Sequence, residues 1–289
     1  MTAPLISIVT PSYNQAQFIE ETIQSVLEQD YARREYLIFD GGSNDGSVEI
    51  IRRYEDRLDF WISERDRGQS HAINKGFSIA RGDVLTWLNS DDVLLPGALS
   101  TVAGCFDRHP EVDLVYGDFV YTNLQGAIIR RRKVFPRISY DQLVFHDYLG
   151  QPAVFFRRSL FEQVGSIDES LTYGMDWELF LRMWKVAQTM HVARELATYR
   201  IHESAKGSSE DDDRFQRDTR IIQKRHIRHP FRSAAANRIW QRYKFILSLG
   251  RRTWSVVRDD PIDYTRSLWL MFPGKRFVKL WAARLRPPV

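Results

Sequence analysis

The 289-residue sequence predicts an α/β fold, a doubly wound, mostly parallel sheet followed by a helical C-terminal extension. Three observations carry this: short apolar runs alternate with helix-period segments, polar clusters follow the apolar runs, and the charge changes sign late in the chain. The first apolar run is Leu5-Ile6-Ser7-Ile8-Val9-Thr10, followed by a helical stripe of Ile19, Thr22, Ile23, Val26 and Leu27. A second strand, Tyr36–Phe39, precedes a helix over 47–54. A helix carrying Ala72, Ile73, Gly76 and Phe77 precedes a strand over Val84–Leu88. Farther on, Gln151-Pro152 leads into the apolar Ala153–Phe156, and Gly174-Met175-Asp176 opens a helix holding Trp177, Phe180, Leu181 and Trp184.

Residues 1–213 hold 22 Lys and Arg against 33 Asp and Glu, whereas residues 214–289 hold 19 against 4. Two surfaces so different in charge imply two regions, with a boundary at the acidic run 208–213: a domain over 1–207 and a basic, aromatic-rich extension over 208–289. A hydrophobic content of 43% argues against disorder. No apolar run reaches the roughly 18 residues a membrane span needs, and no basic-then-apolar leader opens the chain. A cytoplasmic location is therefore expected. The single cysteine, Cys105, excludes an intrachain disulfide and a thiolate metal site.

In doubly wound sheets ligands bind beyond the carboxyl ends of the strands, so the residues following each strand are the candidates for chemistry. They are Pro11-Ser12-Tyr13-Asn14, Asp40-Gly41-Gly42-Ser43-Asn44-Asp45-Gly46 and Asn89-Ser90-Asp91-Asp92. Adjacent aspartates at a strand end can hold Mg²⁺ or Mn²⁺ through hard oxygen ligands and leave positions open for phosphate oxygens. Taken alone, the same pair would cap the turn before Pro96. Asp40 alone would read as an Asp-Gly turn, Asp176 as a residue favoured at a helix N-terminus, and His202 as a solvated loop residue.

The order and content of these clusters resemble the family 2 glycosyltransferases, inverting enzymes of the GT-A (Rossmann-like) fold, over about residues 4–205. The resemblance rests on PSYNQAQFIEETIQSVLEQ, FDGGSNDGS, DRGQSHAINKGFSIARGDVLTWLNSDD and QPAVFFRRSLFEQVGSIDESLTYGMDWELFLR, which occur in the family's order. It implies a nucleoside-diphosphate-sugar donor, with Pro11, Ser12, Tyr13, Asp40, Asp66, Asn89 and Ser90 on the donor side. It assigns Mn²⁺ or Mg²⁺ to Asp91, Asp92 and His202, and makes Asp176 the general base toward a saccharide or lipid-linked acceptor. Three positions depart from the pattern: Gly41 stands where many relatives carry a second aspartate, Asn89 replaces the first aspartate of the D-x-D element, and Met175 stands where a glutamate often precedes the base.

Beyond 213, basic residues interleave with Trp240, Tyr243, Phe245, Trp254, Trp269, Phe272, Phe277 and Trp281. That composition suits the surface of an anionic membrane and suggests peripheral attachment to its inner face. A helical appendage packed on the domain or on a second copy is the competing reading, and the acidic first region disfavours nucleic acid. Two other functions compete. A sugar nucleotidyltransferase would need a glycine-rich, lysine-terminated phosphate loop, absent after the first strand, and a non-catalytic nucleotide-sugar binder would draw only on Asn89 and Met175.

Overall fold

A computed structural model describes residues 3–145, 147–202 and 213–227. Its elements, in chain order, are β1 Ile6–Ser12, α1 Ile19–Leu27, β2 Arg34–Asp40, α2 Ser47–Arg52, β3 Phe60–Ser63, α3 Gln69–Ile79, β4 Val84–Trp87, β5 Val93–Leu94, α4 Ala98–Arg108, β6 Leu114–Thr122 and β7 Ile128–Arg132. They continue with α5 Tyr140–Phe145, β8 Val154–Arg157, α6 Arg158–Val164, α7 Met175–Trp184, β9 Thr189–Arg200 and α8 Asp213–His226. Residues 1–137 and 148–222 form one compact unit that contains the whole sheet. Residues 138–147 and 223–289 form a second unit, in which the Tyr140 hydroxyl meets Nδ1 of His226 at 3.0 Å. The tryptophans at 240, 254, 269 and 281, and with them the expected membrane-facing extension, lie outside the described residues.

The nine strands make one sheet in the order β3-β2-β1-β4-β8-β6-β9-β5, with β7 beside β6. The predicted parallel sheet is the wing β3-β2-β1-β4, where all three pairings are parallel. Beyond β4 the sheet is mixed: β8 runs antiparallel to both β4 and β6, and β9 returns parallel to β6. Every residue of β1 is buried, because helices cover both faces of a parallel sheet and both sides of the strand must be apolar or satisfied. Two of its polar residues, on opposite faces of the strand, are satisfied by neighbours: Ser7 donates to Glu35, and Thr10 meets the Tyr36 hydroxyl at 3.1 Å.

α1 presents the predicted stripe, burying Ile19, Thr22, Ile23, Val26 and Leu27. α3 crosses β1 so closely that a side chain on Gly76 would collide with Val9. The two wings are joined by aromatic rings. Phe77 of α3 lies edge-on to Trp87 of β4, Phe156 of β8 and Phe161 of α6, with centroids 6.1, 5.8 and 5.0 Å apart, and Trp87 stacks on Phe180 of α7 at 5.9 Å. α7 is further fixed by buried Glu178, which accepts from Arg182, while the Arg182 guanidinium donates to the carbonyls of Val164, Gly165 and Ser166. These contacts place the N-terminus of α7 near the carboxyl ends of the sheet.

Candidate active site

The chain leaves β1 to build β2 and β3 on one side, then returns to build β4 on the other. Such a reversal opens a crevice beyond the carboxyl ends of the strands. A cleft of about 830 Å³ occupies this position, lined by residues following β1, β2, β3 and β4 and by the last residues of β9. The expected Pro11, Ser12, Tyr13, Asp66, Asn89, Ser90, Asp91 and Asp92 all line it.

On the β1–β2 side the loops brace each other. The Asn14 amide nitrogen donates to Ser43 Oγ at 2.8 Å, the Asn44 nitrogen donates to Asn14 Oδ1 at 3.0 Å, and Asp45 accepts from Ala16 and Ser47. Asp40 differs from expectation in its placement. Its residue is 2% exposed and is not among those lining the cleft. The carboxylate instead accepts from the backbone nitrogens of Gly42 and Ser43, from Ser43 Oγ and from Ser63 Oγ. A carboxylate at a strand end followed by small residues closes an Asx-type turn, and this one folds the loop that a ligand would touch.

Gly41 instead exposes its neighbours. A Cβ there would lie 3.0 Å from Asp66 Oδ2 and 3.3 Å from Tyr13 Cδ2, so the Asp66 carboxylate and the Tyr13 ring border the space that an aspartate at 41 would enter. Tyr13 is 60% exposed over the cleft, and buried Ser12 Oγ has no partner among the described residues. The Arg65 guanidinium, exposed on the same rim, has no partner among the described residues. Neither that cation nor Gln69 was singled out from sequence. Arg65 follows β3, a four-residue strand too short and too exposed to stand out by pattern.

On the β4 side, Asp91 Oδ2 meets His202 Nε2 at 3.0 Å, and the His202 ring packs on Phe18 with centroids 4.9 Å apart. The two residues lie 111 positions apart in sequence. Asp91 is the more open aspartate of the pair. Asp92, 2% exposed, accepts from the Arg200 backbone nitrogen at 2.9 Å and from Asn89 Nδ2 at 3.3 Å. Burial, with the Asp91 charge beside it, pushes the Asp92 carboxyl well above the usual carboxylate range. Asp92 thus lines the cleft as expected but spends its carboxylate on fastening the turn, while Asp91 is left the more open of the two.

Asn89 is likewise engaged: its Oδ1 accepts from Gln69 Nε2 at 2.7 Å, and its Nδ2 donates to Asp92 and to Gln151 Oε1. Gln151 Nε2 in turn donates to the Trp87 carbonyl at 2.7 Å. Arg200 ties the turn to the rest of the domain. Its guanidinium donates to the carbonyls of Asp91 and Leu124 at 2.9 and 3.0 Å and to Glu21 at 2.5 Å, and it lies over the Phe18 ring.

Asp176 sits in the first turn of α7, half-buried, and its Oδ1 accepts from the Trp177 nitrogen at 2.8 Å. It is not among the residues lining the cleft, but it acts on one that is. Burial pushes the Tyr199 hydroxyl above its usual range, and the charges of Asp92, Asp176 and Asp91 add to that shift. Met175 is buried and receives the Ser70 hydroxyl on its sulfur, so no second carboxylate stands beside Asp176 in the chain. Among the described residues no three His, Cys, Asp or Glu side chains group as a complete metal-holding set.

A parallel wing ending in a cleft, with an aspartate and a histidine meeting beyond β4, is the arrangement of a GT-A fold, the fold of the structural neighbours below. The chain belongs to glycosyl transferase family 2, whose model matches residues 7–165. A PGL/p-HBAD biosynthesis glycosyltransferase of Mycobacterium bovis is 30% identical over 200 residues, covering 66% of this chain and 76% of that one. An uncharacterized glycosyltransferase of Rickettsia typhi is 26% identical over 209 residues, 70% of this chain, and the match spans 65% of the relative's length. Among solved structures, the fold is similar to Staphylococcus aureus TarS 1–349 in complex with UDP-GlcNAc, with a TM-score of 0.64, 16% identity and coverage of 92% of this chain and 81% of that one. It is also similar to the mannosyltransferase PcManGT from Pyrobaculum calidifontis in complex with GDP-Man and Mn²⁺, with a TM-score of 0.55, 17% identity and coverage of 97% and 83%.

Proposed function

We propose that the protein is an inverting, divalent-metal-dependent glycosyltransferase that moves a sugar from a nucleoside-diphosphate donor to an acceptor hydroxyl, in the assembly of a surface polysaccharide or glycolipid. The observation that carries the reading is Asp91 at the carboxyl end of β4, which lines the same cleft as Tyr13 and Asp66 and is backed by the buried His202 at 3.0 Å. The donor set fits Mn²⁺ or Mg²⁺: one partly open carboxylate and one imidazole would hold the ion and leave its other positions to diphosphate oxygens and water. When bound, the ion would neutralise charge building on the departing diphosphate. UDP-GlcNAc in one structural neighbour and GDP-Man with Mn²⁺ in another support a donor of this chemical class.

Each group of the chain then has a task. Tyr13 offers an exposed face for a base to stack on, Asp66 accepts an N–H from its edge, and the unpartnered Ser12 hydroxyl meets the ribose. Asp40 supports these contacts by shaping the loop. Asp176 takes the proton from the acceptor hydroxyl as the oxygen attacks the anomeric carbon opposite the leaving group, and a single displacement of this kind inverts the centre. In this reading residues 1–207 make the catalytic domain, and 208–289 attach it to an anionic membrane surface on the cytoplasmic side, near a lipid-linked acceptor. Among the described residues no helix is long and apolar enough to cross a membrane.

Donor turnover without acceptor tests the reading. Metal-dependent release of nucleoside diphosphate, abolished by EDTA, is expected. Release of pyrophosphate would make the protein a nucleotidyltransferase, and no release from any donor would make it a binder. A thermal-shift screen of nucleoside diphosphates with Mn²⁺ identifies the base, since ligand bound to the native state raises its stability by mass action.

A further inference from the structure

α8 begins at the last residue of the acidic run that separates the two regions by charge, yet residues 213–222 group with the main unit. One face of this helix lies on the loop that leads into α7. Phe215, Asp218 and Ile222, spaced at i, i+3 and i+7, share that face. The Phe215 ring stands edge-on to Tyr173 at 5.9 Å, and Ile222 Cδ1 lies 3.0 Å from where a side chain would begin on Gly174. Between them Asp218, 1% exposed, accepts two consecutive backbone N–H groups on one oxygen, from Thr172 at 2.7 Å and Tyr173 at 3.0 Å.

A carboxylate so deeply buried is costly unless it is bonded, and charge-assisted bonds to backbone N–H groups are among the stronger ones. The two residues it holds are followed by Gly174, whose φ of +64° turns the chain into α7, and then by Met175 and Asp176. Where Asp176 stands relative to the cleft is thus set at one end by the packing of α7 and at the other by a side chain from α8.

We propose that Asp218 is a positioning residue for Asp176: it fixes the 172–174 backbone, so that a helix from the basic C-terminal region completes the acceptor side of the active site. The proposal rests on the reading of Asp176 as the general base. None of Thr172, Tyr173, Gly174 or Asp218 lines the donor cleft, so the effect belongs to transfer and not to donor binding.

In the full chain, Asp218→Ala is expected to lower kcat for transfer by about 10²-fold, the cost of a small misplacement of a catalytic group, with the donor Kd unchanged by calorimetry. Asp218→Asn keeps an oxygen that can accept both N–H groups and should restore most of the rate. Adding Asp218→Ala to Asp176→Asn should cost nothing further, because both act through one group. Wild-type kcat in Asp218→Ala, rate losses that multiply in the double variant, or parallel loss of donor affinity would each overturn the proposal. Wild-type transfer by Asp176→Asn would instead remove the base assignment, and the proposal with it, in a pattern distinct from the other failures. Hydrogen exchange of the unaltered protein gives a second test that needs no variant: the Thr172 and Tyr173 amides should be protected, and rapid exchange at both would refute the fastening.

Discussion

In the wing β3-β2-β1-β4 each strand is followed by a loop that reaches the cleft within a few residues, and every pairing is parallel. In β8-β6-β9-β5 the pairings are mixed, β9 pairs with β6 through two register shifts, and the groups that reach the site come from far apart in sequence. The first wing builds its half of the site from turns within each loop, as Asp40 and Asp45 show, braced by bonds between loops no more than about 30 positions apart. The second builds by long-range capture: Gln151, Arg200 and His202 each reach back to the turn Asn89–Asp92. A preformed nucleoside pocket and an assembled reaction centre are expected to fail differently when altered.

The largest effect is expected at the seam of the two wings. Asp91→Ala should lower transfer by about 10³-fold, the several kcal/mol that a bound cation contributes to a developing charge, and Mn²⁺ titration should show weakened dependence on the ion. Turnover undiminished in excess EDTA would remove the metal from this site. Next, Asp176→Asn should slow transfer by about 10²-fold or more while calorimetry shows normal donor binding, as befits a group that acts only on the acceptor proton. Should donor affinity fall instead, Asp176 would belong to the nucleoside side and the division between wings would dissolve.

Within the first wing the effects fall on stability. Gly76→Ala forces a methyl group into Val9 across the α3–β1 contact and should cost about 1–3 kcal/mol in chemical denaturation, with the kcat of the remaining folded protein unaltered. Glu35→Gln should cost less, about 1–2 kcal/mol, and only in part of the pH range. Burial pushes the Glu35 carboxyl up, but the Arg81 backbone nitrogen, the Ser7 hydroxyl and the Arg81 guanidinium together hold it below its usual value. A carboxyl that is more acidic folded than unfolded contributes stability above the unfolded pKa and loses it as pH falls through the folded one. The difference between wild type and Glu35→Gln should therefore be full near neutrality and vanish in acid. A difference that persists unchanged at low pH would mean that packing, not charge, is what Glu35 supplies.

The strand–helix alternation of the first wing was legible because parallel strands covered on both faces read as continuous apolar runs, and helices between them keep a 3.6-residue stripe. For the same reason Tyr13 and Asp91 were legible at strand ends from the sequence, whereas Asp66, which follows the short β3, came only with the family resemblance. β6, β7 and β9 were not singled out: β7 reads Ile-Ile-Arg-Arg-Arg on an exposed edge, and β9 carries Arg194 and Glu195 in mid-strand, so neither shows an apolar run.

Sequence by itself determined which side chains with useful chemistry exist and, where a local turn sets the geometry, on which edge of the sheet they emerge. Only the tertiary structure decided which carboxylates are open. Asp40 and Asp92 are consumed by bonds to Ser63 and to Arg200, partners 23 and 108 positions away. Asp91 stays partly exposed beside His202, and Asp176 follows a loop held by α8. Whether a carboxylate is a ligand or a fastener depends on which donors the fold brings to it, and hydrogen-bond partners that distant leave no periodic trace in the chain.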